Sequence, residues 1–154
     1  MTVRSAVIGH GLETFDRAGE SLLTWGLQRG SGFREVHVPA RVTEGATTIW
    51  RIPFGPLHPR TICEVFAVAD EPTRVGFGHV AMAGHPQQGW ENFVVTLDDE
   101  ENVVLTITVC AKPAAWWMSL AGPLGVVALH LLLARNLRAL TGAARPAGKR
   151  LSAP

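Results

Sequence analysis

From Ala114 to Ala134 the chain reads "AAWWMSLAGPLGVVALHLLLA", with no formal charge and only Ser119 and His130 clearly polar. No other stretch restricts the fold so strongly. A helix this apolar must be covered on most of its surface, by lipid or by protein. Its length matches the ~20 residues that cross a bilayer. Lys112, Arg135 and Arg138 flank it. Hydropathy alone therefore proposes a tail anchor. Two features argue for a core helix instead. The "AGPLG" stretch interrupts the segment, and the residues before it read as a compact sheet in need of a cover. A membrane is not the expected partner.

The preceding chain supplies that sheet. "VRSAVIGHG" reads as a short strand or extended lead-in. "LETFDRAGESLLTWGLQRG" follows at helical spacing, with Gly30 as a stop. Gly19 would sit inside that helix at a cost of up to ~1 kcal/mol, which predicts two short helices or one bent one. "REVHVPA" and "ATTIWRIP" form a hairpin in outline around "TEG". "FGPLHPR" is a loop, because its prolines cannot donate to a ladder. "TICEVFAVAD", "RVGFGHVAMA", "WENFVVTLD" and "VVLTITVCA" read as successive strands, the last stopped by "KP". "GHPQQG" connects the middle pair. Strands run together and then covered by a long helix predict an α+β domain over residues 1–141. The expected architecture is a curved antiparallel sheet wrapped around the C-terminal helix. Residues 142–154 read as a disordered basic tail rich in Pro, Ala and Gly.

Strand alternation assigns faces. Phe93, Val95 and Leu97 share a face with Glu91. Val103, Leu105, Ile107 and Val109 share another, and Val75, Phe77, His79 and Ala81 a third. In "TICEVFAVAD" either Ile62, Glu64, Phe66 and Val68 or Cys63, Val65, Ala67 and Ala69 point inward, and the set with the aromatic is preferred. His79 and Glu91 are thus expected on the concave face, with His85 at the tip of the hairpin between their strands. A histidine and a carboxylate converging in an apolar cleft can act as acid and base. Each also has a plainer reading: His85 as a turn residue, Glu91 as a solvated rim residue, His79 as a satisfied core histidine. Trp50, Phe66, Phe77, Trp90 and Phe93 are the candidate walls. Trp116, Trp117 and His130 read as packing residues.

Composition closes several routes. In 154 residues the formal net charge is +1, which calls for neither nucleic acid nor an anionic membrane. No His, Cys, Asp or Glu spacing fits a metal, and no glycine-rich phosphate loop or nucleophile elbow is present. A cofactor-free site is expected. The two cysteines are far apart, and the N-terminus lacks the pattern of a signal peptide. Both thiols are therefore expected reduced, in a cytoplasmic protein. The oligomeric state stays open.

"GHGLETFDRA", "DEPTRVGFGHVAMAGHPQQGWENFVV" and "AKPAAWWMSLAGPL" together resemble an uncharacterised family, the domain of unknown function numbered nineteen-ninety, of actinobacteria and plants. The Gly-His-Pro block is the most specific part. The chain departs from the family pattern at His79, where Tyr is expected, and at Trp90, where the first of two acidic residues is expected. The family's order of strands and helices is similar to the helix-grip architecture of START and Bet v 1-like proteins, which hold apolar ligands between sheet and helix. The resemblance therefore implies a bulky apolar small-molecule ligand: a lipid, polyketide or terpenoid. Two functions follow. One is a cofactor-free cyclase, dehydratase or isomerase of secondary metabolism, with Glu91, His79 and His85 as its acid/base residues. The other is a binding protein without chemistry.

Overall fold

The computed structural model describes residues 1–53, 58–114 and 131–141. Seven strands form one antiparallel sheet: β1 (Thr2–His10), β2 (Arg34–His37), β3 (Thr47–Arg51), β4 (Arg60–Glu71), β5 (Arg74–Ala81), β6 (Gln87–Leu97) and β7 (Asn102–Pro113). Their spatial order is β1-β7-β6-β5-β4-β3-β2. The crossover from β1 to β2 carries two helices, α1 (Leu12–Leu23) and α2 (Gly26–Gly30). Residues 131–141 are helical. The sheet is curved, and the helices lie on its concave side. The expected closing helix before residue 131, Trp116, Trp117, His130 and the tail from residue 142 lie outside the described residues. Among the described residues no helix is long and apolar enough to cross a membrane.

The core forms where the apolar faces of strand and helix meet. Phe93 and Val95 of β6 and Val103, Leu105, Ile107 and Val109 of β7 are buried, as clean alternation requires. Phe15, Ala18, Leu22 and Leu23 of α1 cover them, α1 packing on β5 and β6. Leu133 and Leu140 of the C-terminal helical segment complete the cluster. Gly19 does not break α1. A Cβ there would lie 3.2 Å from the Val75 side chain, so glycine permits the close approach of helix to sheet.

The break falls instead at Trp25, whose backbone is left-handed with φ 66° and ψ 20°. Trp25 is fully buried, and its Nε1–H donates to Pro39 O at 2.8 Å. Its ring meets Trp50 and Phe77 edge-on, with centroids 5.9 and 5.3 Å away. Tertiary packing thus holds a conformation that the residue itself disfavours.

Three strand expectations need correction. β6 begins at Gln87, so Gln87–Gly89 are strand and the turn is only 83–86. β7 runs on through Pro113, which pairs with Gln87 where β1 no longer flanks it. In β4, Val65 pairs with His79 and Ala67 with Gly78, leaving Phe66 as the extra residue of a bulge. The bulge switches parity mid-strand. Cys63 and Val65 face inward before it and Val68 packs on the core after it. Phe66 is 43% exposed and lies over Gly78 on the outer face.

Candidate functional site

His79 and Glu91 are direct partners in the β5–β6 register. Both side chains face the concave side, and His79 Nε2 lies 3.1 Å from Glu91 Oε2. The His79 side chain is 11% exposed and that of Glu91 is 28% exposed, so the carboxylate is the more reachable group. An ionised carboxylate only accepts, which assigns the imidazole proton to Nε2. In the neutral ring Nδ1 then carries the lone pair, and it is buried without a hydrogen-bond partner among the described residues. Phe77 and Phe93 stand edge-on to the imidazole at 5.9 and 5.4 Å. The pair therefore sits in a frame of aromatic carbon.

His85 does turn work. Its backbone N–H donates to Met82 O at 3.0 Å, and its Nδ1 accepts from the Gln87 N–H at 2.9 Å. Burial lowers its pKa below the ordinary histidine range, opposed by Gln87 O, which lies 2.9 Å from Nδ1 and would accept from a protonated ring, and by the charge of Glu91. A neutral ring is the form that can accept the Gln87 N–H. The ring also borders a small cavity with Cys63, His79 and Glu91, of about 10 Å³, room for about one water. The turn and site readings are thus compatible in one side chain. Below an unfolded-state pKa of about 6.5 the unfolded chain takes up a proton that folded His85 resists. Stability should fall as pH drops from that value, and His85→Asn, which can still accept from Gln87, should flatten the fall. Urea midpoints at pH 7.5 and 5.0 would read it; equal losses in both proteins would exclude His85 as the cause.

Cys63 is the inward residue that face assignment passed over. Burial, and then the charge of Glu91, pushes its pKa up to about 12. It is a thiol at neutral pH, a weak donor and not a nucleophile. Gly89 fixes the other side of the cavity. Its φ is 148°, and a Cβ there would fall 2.0 Å from Cys110 O on β7. Gly89→Ala should cost roughly 3 kcal/mol through strain and overpacking. A loss under about 1 kcal/mol in denaturant melts would show that β7 simply gives way.

The remaining wall candidates divide. Trp50, Phe77 and Phe93 are buried on the concave side. Trp90 alternates with Glu91 and opens with Phe66, Val80 and Asn92 onto a separate groove of about 490 Å³ on the outer face. The structure does not bring Phe66 to the His79–Glu91 pair, whereas Trp90 borders both the small cavity beside that pair and the outer groove. A third cleft, of about 360 Å³, lies between α1 and the β4–β5 turn, where Arg41 ties Glu20 at 2.7 Å to Asp70 at 3.7 Å. These are exposed ion pairs of modest value. Among the described residues no group of three or more His, Cys, Asp and Glu side chains is arranged to hold a metal ion.

This geometry can be set beside known proteins. A hypothetical protein from Helicobacter pylori superposes with a TM-score of 0.63 at 11% identity, covering 94% of this chain and 86% of that one. A major latex-like protein from Panax ginseng gives 0.61 at 17% identity, covering 94% and 97%. Ara h 8.0201 gives 0.53 at 12% identity, covering 93% and 95%. At such identities the likeness is one of fold. No curated protein sequence matches the chain. Residues 1–139 match the model of a domain of unknown function (DUF1990). The chain belongs to that family, with a helix-grip fold similar to that of Bet v 1-like proteins.

Proposed function

We propose that this protein binds a bulky apolar small molecule against the concave face of its sheet and moves a proton on it without a cofactor. The observation that carries the reading is the His79–Glu91 pair, hydrogen-bonded at 3.1 Å within a wall of Phe77 and Phe93. A hydrogen-bonded acid–base couple in an apolar wall is costly to fold around, and simple core packing has no use for it. Proton transfer does use it. Glu91 or the imidazole would act as base while the aromatic wall sets the conformation of the ligand. Cyclisation, dehydration and isomerisation are the reaction classes that need no more than this. Lipids, polyketides and terpenoids are ligand classes whose apolar surface suits such a wall.

Native mass spectrometry of the gently purified protein tests the binding step. An extra mass that leaves on denaturation is expected, and its identification supplies the molecule for turnover assays. A bound molecule that is never converted would favour a carrier. Failure of every apolar probe to bind in titration would end the reading.

A further inference from the structure

The polar residues of the concave face are not scattered. Thr48 on β3 pairs with Cys63 on β4. Val65, one pleat along, pairs with His79 on β5, and His79 with Glu91 on β6. Thr48, Cys63, His79 and Glu91 thus form a diagonal band across four adjacent strands. Trp50, two residues from Thr48 on β3, extends the band at its far end.

Three polar atoms of this band are buried and, among the described residues, have no hydrogen-bond partner: Thr48 Oγ1, Trp50 Nε1 and His79 Nδ1. Thr48 is 0%, Trp50 2% and His79 9% exposed. The Gln28 side-chain amide on α2 is likewise buried without a partner among the described residues, while other buried polar groups are satisfied within the fold. Trp25 Nε1 donates to Pro39 O, Thr61 Oγ1 to Trp50 O, and Ser31 Oγ to Leu27 O. Native proteins leave few buried polar atoms unmatched, and each exception asks for an explanation, a bound water or a ligand among them. Three of the unmatched atoms fall on one sheet surface, and their chemistry is complementary to a ligand. An indole N–H needs an acceptor, an imidazole lone pair needs a donor, and a hydroxyl serves either.

Building on the proposed cavity, we infer that its ligand is oxygen-bearing: an apolar polycyclic or terpenoid skeleton carrying hydroxyl or carbonyl groups along one edge. That edge lies on the band, with an acceptor oxygen at Trp50 Nε1–H and a hydroxyl donating to His79 Nδ1. Thr48 and Trp50 become specificity residues. A pure hydrocarbon of the same shape leaves these atoms bare and binds worse.

Matched probes test this: 1-hydroxypyrene against 1-methylpyrene, and 2-naphthol against 2-methylnaphthalene, titrated at neutral pH. The hydroxyl probe should bind roughly tenfold tighter or more, because a site built for a hydroxyl discriminates against its isostere. Thr48→Val and Trp50→Phe should each erode that preference, the hydroxyl probe losing more affinity than its methyl partner. The Trp50 indole N–H resonance, identified by its loss in Trp50→Phe, should move downfield with the hydroxyl probe alone. Equal or better binding of the methyl probes, with a still indole resonance, overturns the polar edge and spares the cavity. Binding by none of the four overturns the cavity, and this inference with it.

Discussion

Trp25→Ala is expected to lose about 4 kcal/mol of folding stability, and the melting temperature should fall by roughly 10–15 °C. Three effects add. The side chain is the largest among the fully buried ones and sits between Trp50 and Phe77, so truncation opens the centre of the aromatic cluster. Pro39 O loses the N–H that it accepts at 2.8 Å. The site can collapse little, since Leu22, Leu23 and Leu27 around it are already buried in their own contacts. A domain of ordinary stability, about 5–15 kcal/mol, would be left marginal. Trp25→Gly separates packing from backbone strain. It opens the same cavity, but glycine adopts φ 66° freely. The glycine variant should therefore melt no lower than the alanine variant, the reverse of their usual order in helices. A loss under about 1 kcal/mol in either would show that the cluster repacks.

Why Trp25 could not be read from the sequence, while β6 and β7 could, is a matter of which contacts decide. In "WENFVVTLD" and "VVLTITVCA" the alternation is uninterrupted, so local pattern and tertiary burial agree, and the inward sets follow. The shared face of His79 and Glu91 follows from the same parity. Their 3.1 Å contact does not, because it depends on register across the hairpin. β4 fails for a local reason. The bulge at Phe66 shifts parity by one, and nothing in "CEVFAV" marks a bulge, since no glycine or proline stands there. Aromatic character then drew Phe66 into the expected wall, where the fold turns it outward. Cys63 and Thr48 were missed because a buried thiol and a strand threonine look ordinary until their neighbours are known. The break at Trp25 rests on Pro39, Trp50 and Phe77, all distant in sequence, so helix periodicity through Gly19 gave no sign of it.

Glu91→Gln is expected to lower turnover by ~100-fold or more while ligand affinity stays within a few-fold. The substrate for this measurement is the molecule recovered by native mass spectrometry. Glutamine keeps the length of the side chain and one acceptor oxygen, so the hydrogen bond from His79 Nε2 can persist and the fold should stay within about 1 kcal/mol of the parent. What disappears is the charge. Without it Glu91 can take no proton, and an imidazolium formed at His79 loses the carboxylate 3.1 Å away that would stabilise it. His79→Phe distinguishes the two roles. If Glu91 itself is the base, the phenylalanine variant keeps measurable turnover, because the carboxylate is still reachable. If His79 Nδ1 is the base, both variants fall together, and their double mutant is no worse than either alone. Full turnover in Glu91→Gln would remove proton transfer from the pair altogether. Affinity falling in step with turnover would mean that the pair holds the ligand and performs no step on it. That outcome would make the buried couple a recognition element, which is the use a carrier would have for it.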